Sequence, residues 1–172
     1  MLVSALTLGT SALLVLIDFF IKRWASAVLQ PVTQIDIIPD VLSLYYHQNY
    51  GAAWGIFQGK RVFLLAVTAV VLLGLIIGIL MKKFKGGIVL TSMALIIGGG
   101  LGNLVDRAFN PGGYVVDYIY FEPINFPIFN FADCCVVCGT ILLAVYILFF
   151  EGKEKAEAPA APPAEESGED AQ

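Results

Sequence analysis

Asp18, Lys22, Asn103, Asp106, Arg107, Asp117, Asn130 and Asp133 are polar or charged residues in or beside apolar surroundings. Asp18 and Lys22 are four apart, the spacing that puts both on one face of a helix. Gly99, Asn103 and Arg107 repeat that spacing, with Asp106 alongside. In Tyr114-Val-Val-Asp-Tyr-Ile-Tyr-Phe121, strand alternation would set Asp117 on the same face as Val115, Ile119 and Phe121. Two carboxylates brought together in a semi-apolar site cannot both ionise cheaply, so their pKa values separate. One can then serve as acid and the other as base, which activates a water against an amide carbonyl. The lone histidine, His47, is too few for a metal centre, and no Ser/His/Asp set is present. Aspartic catalysis is the hydrolytic chemistry that remains, and it needs neither metal nor cofactor.

Such residues must be held by elements the rest of the chain provides. Hydrophobic residues make up 58% of the sequence and charged ones 14%, with a mean hydropathy of +0.81. Soluble domains carry about a quarter charged residues, so lipid is the expected solvent. Four stretches are long enough to cross a bilayer at about 20 residues each: Leu2 to Phe20, Val62 to Met81, Ile88 to Val105 and Asp133 to Phe150. Between them, Ile35 to Pro39, Leu42 to Gln48 and Tyr114 to Phe121 read as short strands, punctuated by Pro39, Asp40 and the turn Asn110-Pro-Gly-Gly113. The expectation is an all-α membrane protein of four transmembrane helices with a small β platform on its outer face.

The net charge of −4 comes from the end of the chain, where residues 151–172 hold seven acids and two lysines. Residues 1–150 are near neutral, so nothing points to nucleic acid. They form the expected membrane domain, and 151–172 a disordered cytoplasmic tail broken by Pro159, Pro162 and Pro163. Lys82, Lys83 and Lys85 crowd the short connection between the second and third spans, which the positive-inside rule assigns to the cytoplasm. Both termini then lie in the cytoplasm, and Trp24 to Arg61 and Asp106 to Ala132 lie outside. All the residues named at the outset fall near that outer side. The first span has no basic residue before its apolar run and keeps Asp18 within it, so it reads as a retained helix rather than a signal peptide.

Five blocks give this set a likeness. Asp18-x-x-x-Lys22, Asn49-Tyr-Gly-Ala-Ala53, Gly98-Gly-Gly-Leu-Gly-Asn-Leu-Val-Asp-Arg107, Val115-Val-Asp117 and Phe129-Asn-Phe-Ala-Asp133 resemble, in order, the signature blocks of the lipoprotein signal peptidase family. Trp54 stands where that family more often has Phe. The resemblance implies an intramembrane aspartic endopeptidase of the bacterial cytoplasmic (inner) membrane. It would remove the signal peptide of diacylglyceryl-modified prolipoproteins just before the lipidated cysteine. It implies Asp117 and Asp133 as the catalytic pair. Asn49, Asn103, Arg107 and Asn130 would surround the site and position the substrate backbone, and Asp18 and Lys22 would support it. Gly51, Asp106 and Ala132 fall in the same blocks as further supporting positions. Prolipoprotein substrate and membrane lipid are the expected partners, and the chain is expected to be a monomer.

Plainer roles compete for several of these residues. Asp133 could simply cap a helix, and Lys22 could snorkel from a helix end. The glycines from Gly98 to Gly102 suit close helix packing. Cys135-Val-Val-Cys138 has the spacing of a redox pair, yet Cys134, Cys135 and Cys138 share one apolar run with no second cysteine pair for exchange, so they read as packing residues. An ion path would need polar residues through the full bilayer depth, and these stay on one side.

Overall fold

The computed structural model describes residues 1–32 and 34–150, with four long helices and one three-stranded antiparallel sheet. The acidic tail lies outside the described residues. The helices are α1 (Leu2–Leu29), α2 (Arg61–Leu80), α3 (Gly87–Phe109) and α4 (Phe131–Phe149), all long and apolar enough to cross a membrane. Valines and leucines on their outer surfaces are exposed, Val62 and Val70 by more than two thirds. Lipid is the only solvent in which such surfaces are favourable.

α1 runs nine residues beyond the expected end at Phe20, so Trp24 belongs to the helix and not to an outer loop. The reason is packing. Its buried residues, Thr7, Ser11, Asp18, Lys22, Ala25 and Leu29, recur at three-, four- and seven-residue steps and form one continuous stripe. The last two seat on the sheet, against Val116 and Tyr118. α3 likewise continues past Val105 to Phe109, which makes Asp106 and Arg107 helical. Arg61, at the start of α2, holds that end by donating to the Arg107 and Ala108 carbonyls at 2.8 Å each. These are orphan acceptors of a helix C-terminus, where a cation is favoured.

α3 is the central helix and lies against α1, α2 and α4. Its approach to α4 depends on glycine from both sides. A Cβ at Gly99 would collide with the Ala132 carbonyl, and one at Gly139 would lie 2.9 Å from the Ser92 carbonyl. Two serines of α1 find carbonyls on neighbouring helices: Ser11 donates to that of Ala94 at 3.1 Å and Ser4 to that of Ile79 at 3.1 Å.

The strands are β1 (Ile35–Ile38), β2 (Leu42–Asn49) and β3 (Val115–Phe121), in the order β1-β2-β3. β1 and β2 turn at Asp40, whose φ of 59° suits a tight hairpin. β2 pairs with β3 so that Asn49 faces Val115 and His47 faces Asp117, with a bulge between Leu44 and His47. Residues directly opposite in an antiparallel pair share a face. The register therefore puts His47 and Asp117 on one side.

Candidate active site

Every residue expected in the site is near one end of α3, brought there from five elements of the fold. α1 supplies Asp18 and Lys22, β2 and the loop after it Asn49 and Gly51, and α3 Asn103, Asp106 and Arg107. β3 carries Asp117, and the start of α4 carries Asn130, Ala132 and Asp133.

The Lys22 ammonium, 3% exposed, lies 2.8 Å from Asp18 Oδ2 and 3.1 Å from Asp106 Oδ2, and donates to Asn103 Oδ1 at 2.9 Å. Those three acceptors match its three donors, which lets a charge persist in a dry interior. Asp18 Oδ1 accepts from the Ala132 N–H at 3.2 Å, and Asp106 Oδ2 accepts from the Val116 N–H at 3.0 Å. One ion cluster thus ties α1 and α3 to the two chain segments that bear Asp117 and Asp133. Gly102 makes room for it: a Cβ there would stand 2.5 Å from Asp18 Oδ2.

Lysine can only donate, so it fixes Asn103 with its oxygen inward and its Nδ2 toward Asp133 Oδ1, 2.8 Å away. Asn130, fully buried, is set the same way. It caps α4, its Oδ1 accepting from the Asp133 N–H at 2.9 Å while its own N–H donates to Asp133 Oδ2 at 3.1 Å. This is a reciprocal capping box with Asp133 in the third position. The cap of α4 is therefore Asn130 and not Asp133, the plainer alternative weighed for that residue, and the helix opens at Phe131 rather than at Asp133. With its oxygen occupied, Asn130 turns its Nδ2 to Asp117 Oδ1 at 2.6 Å and to Asn103 Oδ1 at 3.1 Å. Asn49 Nδ2 donates to Asp117 Oδ2 at 2.9 Å, and its Oδ1 accepts from the Gly51 N–H. Arg107 Nη2 donates to the Gly51 carbonyl at 2.7 Å. A side chain at position 51 would press on the Ile56 carbonyl, so this loop closes only over glycine.

Each oxygen of Asp117 and Asp133 accepts one hydrogen bond from the protein and keeps a lone pair for water or substrate. Burial first, and the Asp133 charge second, push the Asp117 carboxyl up to about 7, against the opposing pull of Asn49, Asn130 and Lys22. Desolvation and a like charge both disfavour its ionised form. At neutral pH Asp117 can therefore hold or release a proton, as an acid–base group must.

A cavity of about 1280 Å³ opens beside the two carboxylates. Asn49, Gly51, Asn103, Arg107, Asp117 and Asp133 line it, and its far wall is apolar, with Val67, Val71, Leu72 and Val137. Asp18, Lys22, Asp106, Asn130 and Ala132 do not line the cavity and lie behind its polar wall, where Lys22 and Asn130 bond to Asn103. Asn130, expected beside the substrate, belongs to this second set. Sequence reasoning missed Arg61 and the cavity-lining aromatics Trp54, Phe126 and Phe129, whose rings meet edge to face. Arg61 sits at the mouth of an uncharged span, a signal open to use. The aromatics are distant in sequence, and no spacing joins them.

The family model described as Signal peptidase (SPase) II matches residues 10–149. The lipoprotein signal peptidase of Clostridium acetobutylicum is 42% identical over 143 residues, covering 81% of this chain and 92% of its own. That of Brevibacillus brevis is 36% identical over 144 residues, 84% of this chain and 95% of its own. Among solved structures, a bacterial membrane enzyme determined by the in meso method at 2.3 Å superposes with a TM-score of 0.77. It is 27% identical and covers 92% of this chain and 95% of its own. The chain belongs to the signal peptidase II family, the lipoprotein signal peptidases, which are intramembrane aspartic proteases that process prolipoproteins.

Proposed function

We propose that Asp117 and Asp133 are the catalytic pair, and that the peptide they cut is the bond just before a diacylglyceryl-modified cysteine. The observation that carries this is the shared clamp. Asn130 donates to Asp117 and to Asn103, and Asn103 donates to Asp133, so carboxylates from β3 and α4 form one rigid unit at the cavity wall. Preorganisation of that kind lowers a barrier because no group must reorient as the reaction proceeds.

In the reaction, Asp133 takes a proton from a water as its oxygen attacks the scissile carbonyl. Asp117, in its acid form, gives a proton to the carbonyl oxygen. The tetrahedral intermediate then collapses, the C–N bond breaks, and the cysteine nitrogen leaves with a proton from the pair. Asn49, Asn103 and Arg107 line the same wall and are placed to hold the substrate backbone. The apolar far wall suits the diacylglyceryl chains, which gives the requirement for lipidation a physical basis.

The orientation that suits this reading puts the Lys82 to Lys85 loop, both termini and the acidic tail in the cytoplasm of a bacterium, with the sheet and dyad at the outer leaflet of the inner membrane. One copy carries every residue of the site, in keeping with a monomer. The test is release of a signal peptide from a lipidated precursor by the purified chain in lipid. Cleavage of the lipidated form and not of the unlipidated form supports the reading. Equal cleavage of both would leave the apolar wall without a role.

A further inference from the structure

The polar side chains of β2 fall into two sets. Ser43 donates to Glu122 Oε1 at 2.6 Å, Gln48 bonds to Tyr46 and Tyr50, and Asn49 is taken up by Asp117 and the Gly51 N–H. The His47 imidazole and the Tyr45 hydroxyl, by contrast, have no hydrogen-bond or ion-pair partner among the described residues. Both line the cavity, and the register sets His47 directly opposite Asp117, a pairing in which Cα atoms stand about 4.5–5.5 Å apart. His47 is exposed and Tyr45 half-buried, so water serves their tips until a ligand displaces it. Partial burial holds the imidazole below its ordinary range. At neutral pH it therefore offers one N–H and one acceptor nitrogen, and the tyrosine hydroxyl likewise both donates and accepts.

The two ends of the cavity differ. Val67, Val71 and Leu72 lie within the α2 span, about 9 to 16 Å along it from Arg61 at roughly 1.5 Å per residue. Tyr45 and His47 stand on the sheet, outside the spans. A prolipoprotein has three parts to place around the bond that is cut. Its signal peptide and its acyl chains are apolar and belong with the spans. The chain after the lipidated cysteine is the water-soluble part, and it leaves over the sheet.

We propose that His47, with Tyr45 beside it, is the specificity-determining contact for the residue that follows the lipidated cysteine, and that it selects an uncharged hydrogen-bonding side chain, a hydroxyl or a carboxamide. The proposal rests on the reading of Asp117 and Asp133 as the pair at the scissile bond. Complementarity sets the class. Hydroxyls and carboxamides donate and accept, as the imidazole and the phenol do. An aliphatic side chain would strip water from the imidazole and return no bond, and a polar group left unpaired in this way is how a site rejects an isostere. A carboxylate would be set beside Asp117 and Asp133, where like charge disfavours it. An ammonium would be drawn to those same two carboxylates and occupy the groups that the reaction needs free.

The test uses the full chain in lipid vesicles and lipidated precursors that differ only at the residue after the cysteine: asparagine, its near-isostere leucine, and aspartate. By kcat/KM the parent should favour the asparagine precursor over the leucine one by about tenfold, the scale of a hydrogen bond lost with its partner left unpaired. The aspartate precursor should also be slower than the asparagine one. In His47→Ala the asparagine precursor should fall to the leucine level while the leucine precursor keeps its rate. His47→Gln, which retains a donor and an acceptor, should restore the difference, and Tyr45→Phe should narrow it. A merely structural role for His47 would slow every precursor alike, and that result would overturn the proposal, as would equal rates for asparagine and leucine in the parent. The catalytic reading is checked apart from this in Asp133→Asn, which should bind precursor without cutting it. Competition between the asparagine and leucine precursors for that variant should show the same preference, and adding His47→Ala should erase it. Cleavage by Asp133→Asn would sink the dyad alone, whereas equal binding of the two precursors would sink the His47 proposal alone.

Discussion

α2 has a mean hydropathy of 3.0 in its most apolar window and buries 11% of it inside the protein, whereas α3 has 1.9 and buries 44%. The more hydrophobic helix is the one left to lipid. Only Leu72 and Ile79 of α2 are buried, and nothing is near Gly74. α3 gives its faces to three other helices and can carry Asn103, Asp106 and Arg107 because protein groups, not lipid, meet them: Lys22 bonds Asn103 and Asp106, and the Arg107 Nη2 donates to the Gly51 carbonyl. In a bilayer, apolar contact between helices gains little over contact with lipid, so close approach and polar bonding decide which helices pack. Lower hydropathy in α3 thus marks the helix that the function is built around.

The contrast is sharpened most by changing glycines. Gly102→Leu should remove activity and lower thermal stability sharply, because the buried Asp18 and Lys22 pair has nowhere to move. Overpacking of this kind typically costs about 1–3 kcal/mol, and displacing a buried ion pair adds to it. An unfolding temperature equal to that of the parent would show that the α1 and α3 approach is not tight. Next in size is Asn130→Ala. It deletes the donor to Asp117 and the cap of α4, and each hydrogen bond to a charged group is worth about 1.5–3 kcal/mol. Cleavage should fall at least tenfold while KM for the lipidated precursor stays near the parent value, since Asn130 does not line the cavity. A change confined to KM would make it a substrate contact instead.

A smaller effect is expected from pH. Asp117 in the folded chain is raised to about 7 from its ordinary 3.8. Its contribution to stability is therefore fully present below the ordinary value and is lost as pH rises through 7. Melting in detergent should show the parent losing stability relative to Asp117→Asn between pH 5 and 8, with the gap widening upward. A gap that is constant with pH would mean that Asp117 ionises normally. The smallest effect belongs to α2: Gly74→Ala meets no atom and should leave melting and cleavage within the roughly 0.5 kcal/mol of a neutral surface change.

Much of this arrangement was legible beforehand. Hydropathy located all four spans, alternation located the strands, and the order of five blocks gathered residues from position 18 to position 133 into one site. Helix ends were less legible. Lys22 and Arg23 resemble the polar border where a helix leaves lipid, but Lys22 is buried among acids and the helix goes on until Leu29 reaches the sheet. Asp133 has the residue type of a cap, yet the bond is made by Asn130, and only the three-residue geometry of the turn separates the two. Cys134 and Cys138 read as packing residues because no spacing in one strand of sequence reveals that the helix facing them, α2, stands off and leaves a cavity.

The central claim is that Asp117 and Asp133 act as one unit, each necessary and neither replaceable by an amide. The direct measurement is signal-peptide release from a lipidated precursor by Asp117→Asn and by Asp133→Asn, each reconstituted in vesicles with its helical content and melting checked against the parent. Both variants should fold and insert, and both should release nothing above background, since an amide can neither take a proton from water nor give one to the leaving nitrogen. Turnover near the parent rate by either folded variant would contradict the claim.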